Sequence, residues 1–167
     1  MRSEPSLFQN RHFYDSRGLF IEAWKKSSSL FPEFKQCNVS VSAKNVIRGL
    51  HFQAVNPQGK LVSVLRGLAI DMVVDLRVGS PNFGRPAVFK LEPGVSLYVP
   101  PGFAHGFHAV EDSTVFHYLC TEEWHQASDG GIYPLSFDWG VNDPIVSPKD
   151  LALPRFNDFQ SPFKYEG

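Results

Sequence analysis

The feature that most restricts the fold of this chain is a succession of short segments whose side chains alternate in polarity, each closed by a turn signal. Gln36–Ser42 sets Gln36, Asn38, Ser40 and Ser42 on one face and Cys37, Val39 and Val41 on the other. Residues 61–66 and 68–77 read as two more strands around Gly67; in the second, Ile70, Met72, Val74 and Leu76 share a face while Asp71 and Asp75 point the other way. Further strands are predicted at 87–91, 96–99, 107–110 and 114–120. Turn residues fall between them: Gly79-Ser80-Pro81-Asn82, Glu92-Pro93-Gly94, Pro100-Pro101-Gly102 and Glu111-Asp112. Alternation is the period of a half-buried strand. Regular short strands with such punctuation predict an all-β antiparallel sandwich or jelly-roll barrel. Helix is expected only over 28–34, with a turn near 121–126, and the tail from Asn142 should wrap the barrel as loop and short turn.

No repeat, low-complexity tract or linker-like shift interrupts the 167 residues, so one domain is expected over 1–167. Apolar residues at 43% suffice for a real core. The balance of 16 Lys+Arg against 17 Asp+Glu argues against a basic nucleic-acid surface and an acidic disordered tail. No run of about 18 apolar residues is present to span a membrane. The first residues lack the apolar stretch of a signal peptide, and two cysteines distant in sequence, Cys37 and Cys120, do not make a disulfide framework. A cytoplasmic location is the expectation.

Polar side chains compete for what should be an interior. A small closed sheet normally fills with apolar residues, yet Gln36, Asn38, Asp71 and Asp75 vie for an inner face, with His51, Lys60 and Tyr118 nearby in strand order. A polar barrel mouth reads as a binding pocket. Of six histidines, two sit in rich contexts: His51, with Arg48 before it and Lys60 after, and His105 in the small-residue run Pro100–Phe107. Metal binding is poorly supported: Gln53 stands where a second ligand would, and His105 and His108, three apart in a strand, face opposite sides. Acid–base chemistry needs less. His51 can act as a base with Asp71, Asp75 or Asp150 orienting it, Tyr118 as an acid, and Lys60 as a stabiliser of a developing enolate.

The run Arg48-Gly49-Leu50-His51-Phe52-Gln53 followed by Pro57-Gln58-Gly59-Lys60-Leu61-Val62 resembles the dTDP-4-dehydrorhamnose 3,5-epimerases, metal-independent sugar-nucleotide epimerases with a cupin-type jelly roll. Asp15–Glu22 is similar to the family's D-x-R-G-x-F-x-E, and Gln36-Cys37-Asn38-Val39-Ser40 to its Q-x-N-x-S. The segments 71–77, 102–107, 118–121 and 147–150 follow in order, so the likeness spans about 12–156. The resemblance implies His51 as the base beside the ketone, Asp150 as its orienting partner, Lys60 on the C4 oxygen and Tyr118 as the acid of the opposite face. It implies that Arg17, Phe20, Glu22, Gln36, Asn38, Arg48, His105 and Lys149 bind sugar and diphosphate, with no cofactor. It also implies a homodimer exchanging N-terminal strands, so that the 17–22 segment serves the neighbouring subunit.

Two positions depart from the family pattern. After Tyr118-Leu119-Cys120-Thr121, the family's Tyr is replaced by Trp124, which keeps a stacking surface without a hydroxyl; Asp129 stands for Glu, one methylene shorter. A direct ligand contact there is expected to become water-mediated. These changes alter the substrate-binding wall, so a single-carbon epimerase on a related keto sugar is an alternative. A metal-dependent cupin enzyme and a non-catalytic sugar-binding barrel are two further classes.

Overall fold

The computed structural model describes residues 3–27 and 31–166. In chain order its strands are β1 (Ser6–Gln9), β2 (Arg11–Asp15), β3 (Gly18–Glu22), β4 (Gln36–Ser42), β5 (Val46–Gln53), β6 (Lys60–Arg66) and β7 (Ala69–Asp75). There follow β8 (Pro86–Leu91), β9 (Val95–Val99), β10 (Phe103–Ala109), β11 (Thr114–Cys120), β12 (Asp129–Gly131) and β13 (Ile145–Val146), then one helical turn, α1 (Pro148–Leu151). One sheet has the order β1-β9-β6-β11-β4; the other runs β12-β5-β10-β7-β8, with β13 parallel to β5. Among the described residues β2 and β3 pair only with each other, as a separate hairpin.

The alternation in the sequence becomes two layers. Val62, Val64, Val73, Leu97, Phe107 and Phe116 close an apolar core between the sheets, where each fully buried large side chain contributes about 1.5–3 kcal/mol. Met72 and Val74 leave the other face of β7 and, with Leu76 just beyond its end, pack with Leu50, Ile132 and Trp139. Aromatic residues of the tail, Phe156, Phe159 and Phe163, cover that second cluster. The predicted wrapping tail is therefore a structural layer, and the central strands β7 and β10 of the second sheet are buried on both faces, whereas its edge strand β8 is largely exposed.

β4 turns its polar face inward. Gln36, Asn38, Ser40 and Ser42 are at least half-buried, whereas Cys37, Val39 and Val41 are exposed, Val41 at 61%. Cys37 and Cys120 lie on adjacent strands. Both are free, one exposed and the other buried.

Several expectations need correction. The helix over 28–34 does not form over 31–34, where Phe31 and Phe34 instead join an aromatic cluster with Trp24 and Tyr98; residues 28–30 lie outside the described residues. The turn at 121–126 is a bend followed by a short 3-10 helix, Gln126–Ser128. β10 begins at Phe103, four residues before the predicted start.

Candidate active site

Between the sheets the apolar packing gives way to a cavity of about 600 Å³, lined by His51, Arg48, Lys60, His105, Tyr118 and Asp150 and floored by Phe107 and Phe116. These two rings are stacked 3.9 Å apart and nearly parallel. An adjoining space of about 410 Å³ shares His51, Lys60, Tyr118 and Lys149 and extends past Gln36, Asn38, Cys120, Trp124 and Asp129. The second sheet supplies His51 and His105; the first supplies Lys60 and Tyr118.

A glycine pair makes this geometry possible. Gly49 has φ +140°, and a Cβ there would sit 2.6 Å from Gly106 Cα; a Cβ on Gly106 would sit 2.6 Å from the Arg48 carbonyl oxygen. Only residues without side chains allow β5 and β10 this approach. It brings His51 and His105 into register as direct cross-strand partners.

His51 Nε2 donates to Asp150 Oδ1 at 2.8 Å. The carboxylate comes from α1, where Ser147 caps the turn by accepting a hydrogen bond from the Asp150 amide at 3.1 Å and Pro148 occupies the first helical position. Burial alone would push the Asp150 carboxyl up. The His51 hydrogen bond and charge, with the Gly49 amide and the Ser147 hydroxyl, hold it below the ordinary carboxylate range. Asp150 is thus an anion, which can only accept, so the ring proton lies on Nε2 and Nδ1 is left for the cavity. Of the three carboxylates considered for His51, Asp150 is the one within hydrogen-bond distance of it. Asp75 instead accepts from Arg77 at 2.7 and 2.9 Å and from Ser80 at 2.6 Å, and Asp71 bonds His105.

That second pair was not anticipated. His105 Nε2 lies 2.7 Å from Asp71 Oδ2, and Asp71 is wholly buried with its Oδ1 unpartnered. Burial pushes the Asp71 carboxyl up, opposed by His105 and the Lys60 charge. The downward pull of burial on Lys60 is opposed by Cys120, Asp129 and Asp71; its pKa lies below the usual lysine value. Tyr118 is raised by burial and by Cys120, with Arg48 acting against both. Arg48 itself is anchored by its Nε bond to Ser42 Oγ at 3.0 Å.

At the mouth, Gln36 Oε1 accepts from the Trp124 backbone amide at 2.7 Å and Gln36 Nε2 donates to Asn38 Oδ1 at 2.9 Å. The Trp124 ring is half-exposed over the opening. Asp129 accepts from Lys149 Nζ at 2.7 Å, so the shortened acid holds a neighbouring cation of the site. Among the described residues no group of three or more His, Cys, Asp or Glu side chains could hold a metal ion.

Arg17, Phe20 and Glu22 are not brought to this cavity. Arg17 and Phe20 lie on the projecting β2–β3 hairpin, where Arg17 pairs with Asp15 at 2.5 Å. Glu22, at its base, pairs with Lys25 at 3.2 Å. Sequence reasoning missed Cys120 and Gln58, which also line the mouth. Cys120 was detectable as the residue two beyond Tyr118 on the same strand face; Gln58 lies in a loop, where no periodicity marks its direction.

A ring held between a base on one sheet and an acid on the other, with a cation at hand, can lose a proton from one side of a carbon and regain one on the other. Fold and site together define a cupin-type jelly-roll epimerase. The profile of the dTDP-4-dehydrorhamnose 3,5-epimerases matches residues 3–158. An enzyme of that name from Methanothermobacter thermautotrophicus is 40% identical, over 88% of this chain and 84% of its own. The crystal structure of dTDP-6-deoxy-D-glucose-3,5-epimerase from Legionella pneumophila, in complex with dTDP-4-keto-L-rhamnose, superposes with a TM-score of 0.92 at 34% identity, covering 99% of this chain and 96% of that one. A 3'-monoepimerase from Streptomyces bikiniensis in complex with dTDP-quinovose gives 0.84 at 28% identity, covering 92% and 84%. The chain belongs to the dTDP-4-dehydrorhamnose 3,5-epimerase family.

Proposed function

We propose that this protein inverts C3 and C5 of a dTDP-linked 4-keto-6-deoxyhexose by proton transfer through an enolate. The C4 ketone acidifies the hydrogens on both flanking carbons. His51, oriented by Asp150, removes such a proton; Lys60 stabilises the negative charge that develops on the C4 oxygen, an effect far stronger in a dry cavity than in water. Tyr118 returns a proton from the facing sheet. The observation that carries this reading is the distribution of base and acid: His51 belongs to one sheet and Tyr118 to the other, with the cavity between. Arg48, Lys149 and His105 are binding groups for sugar and diphosphate in this reading, Arg48 by the forked geometry that suits phosphate oxygens. Gln36 and Asn38 belong to the same sugar- and diphosphate-binding set, and Trp124 and Asp129 complete the altered substrate-binding wall, with Asp129 acting through Lys149.

We further infer a homodimer in which the β2–β3 hairpin of each chain delivers Arg17, Phe20 and Glu22 to the neighbouring cavity. Supporting this, the hairpin leaves Phe13, Tyr14, Leu19 and Phe20 exposed, Phe20 at 68%, and β4 beside the cavity is an unpaired sheet edge. No helix among the described residues is long and apolar enough to cross a membrane; with two free thiols, a reducing cytoplasm is the proposed location.

The test is incubation with dTDP-4-keto-6-deoxyglucose in heavy water, with NMR of each carbon. Deuterium at C3 and C5 with formation of the doubly inverted sugar is expected. Incorporation at one carbon would support the narrower activity suggested by the monoepimerase neighbour and the altered wall at Trp124 and Asp129. None with any keto sugar nucleotide would refute the enzymatic reading.

A further inference from the structure

The β2–β3 hairpin is a lever with a narrow foot. Among the described residues it pairs with no other strand, and against its root lies a cavity of about 220 Å³ lined by Asn10, Glu22, Trp24, Phe31, Leu61 and Ser96. Close packing therefore does not fix its direction on that side. Hydrogen bonds do. Asn10 stands between Gln9, the end of β1, which is held in the first sheet, and Arg11, where β2 leaves it. Its backbone amide donates to the Gly94 carbonyl at 2.9 Å. Its side chain is engaged at both ends. Nδ2 donates to the carbonyls of Ala23 at 3.1 Å and Glu22 at 3.4 Å, where the chain returns from β3, and Oδ1 accepts from Ser96 Oγ at 2.9 Å. The single hydroxyl proton of Ser96 is thereby used, so Ser63 donates the 2.7 Å bond that joins the two serines. Ser63 and Ser96 are buried, and face each other across β6 and β9. On the next residue but one, the His12 ring leaves no room for a Cβ on Gly94.

We propose that Asn10 is a positioning residue for the neighbouring subunit's cavity: it ties both arms of the hairpin to the buried serines of its own sheet and so aims Arg17 and Phe20 at the substrate held by the other chain. This rests on the exchanged-hairpin reading above and deepens it. The magnitude follows from the length of the lever. Each hairpin strand has five residues, which at about 3.3 Å per residue sets the turn about 17 Å from the root. A rotation of about 10° at the root swings the turn through about 3 Å, against the ~0.5 Å within which a binding constellation must be held. Arg17 lies in that turn and is displaced most, Phe20 less, and Glu22, at the root, least. Asparagine suits the position because its short planar end carries an acceptor and a two-proton donor side by side. An acceptor alone would hold the serine and release the returning arm.

The experiment separates the chain that carries Asn10 from the chain whose cavity it serves. Two differently tagged full-length chains are co-expressed, the mixed dimer is purified through both tags, and KM and kcat are measured with dTDP-4-keto-6-deoxyglucose. His51→Ala is used only to silence one cavity. In the first dimer Asn10→Ala is on one chain and His51→Ala on the other, so the working cavity receives an intact hairpin; a wild-type KM is expected. In the second, one chain is wild type and its partner carries both substitutions, so the working cavity receives the loosened hairpin. There KM should rise about 10–10²-fold, the range for lost hydrogen bonds to a charged group, with kcat changing far less because binding is lost in ground and transition states alike. Asn10→Asp, which keeps the acceptor for Ser96 and removes the donor to the two carbonyls, should act the same way and replaces Asn10→Ala if that variant fails to fold. A wild-type KM in both dimers would overturn the proposal, and so would an equal rise in both, the mark of a general loss of structure. A rise in the first dimer alone would mean that the hairpin serves its own cavity and would overturn the exchange reading itself, as would failure of the tagged chains to associate.

Discussion

Asp150→Asn isolates the contribution of one charge to catalysis. The carboxylate stands 2.8 Å from His51 Nε2, so its attraction for the imidazolium formed on proton abstraction is about 6 kcal/mol at an effective dielectric of 20 and about 1.5 kcal/mol in bulk water. The His51 side chain is 31% exposed, Asp150 almost entirely buried. An intermediate value of about 3–4 kcal/mol is therefore appropriate, equivalent to about 10²–10³-fold in rate. The substitution leaves the helical turn intact, because Ser147 caps it through the backbone amide of residue 150 rather than the carboxylate. The assay is the steady-state rate of formation of the doubly inverted sugar. The loss should fall on kcat with KM little changed, since the charge matters in the transition state rather than in binding. A loss below tenfold, or one carried wholly by KM, would refute the argument that Asp150 works by stabilising charged His51.

Lys60→Met should cost about 10²–10³-fold in kcat. Because burial draws the Lys60 pKa down and the cation is the active form, wild-type activity should fall as pH rises through that lowered value, below the ordinary ~10.4. This alkaline limb should vanish from the kcat profile of the variant; its persistence would assign it to another group. Gly49→Ala forces a Cβ to within 2.6 Å of backbone at φ +140°, and strain plus overpacking should destabilise the fold by about 2–6 kcal/mol. An unchanged thermal midpoint would contradict the close approach of β5 and β10. Co-expression of Arg17→Ala with His51→Ala should recover activity that neither variant has alone, since the mixed dimer contains one intact site; no recovery would mean that Arg17 serves its own chain or none.

Much of this architecture was legible because alternation survives wherever a strand has one solvated face. Gln36–Ser42 and Thr114–Cys120 have the predicted bounds. β5 shows no such period: it is covered on both sides, and Gly49 occupies its middle with a left-handed φ. The helix expected over 28–34 failed over its described part because Phe31 and Phe34 gain more from aromatic packing than the segment, interrupted by Pro32, gains from helical bonds. For the site, the R-G-L-H and G-F-A-H-G-F runs identify His51 and His105 by resemblance. The couple of His105 with Asp71 was invisible, since residues 34 apart meet only through strand pairing.

By itself the sequence determined the local terms: where chain reversals fall, which segments are extended, and which polar residues are too many for a surface. It could not say which face of β4 looks inward, because a two-residue period is symmetric under exchange of faces. Tertiary structure broke that symmetry by turning the polar side toward the cavity. It also chose the acid that holds His51, selecting from three carboxylates the one 99 residues away, since a hydrogen bond depends on distance through space and not along the chain.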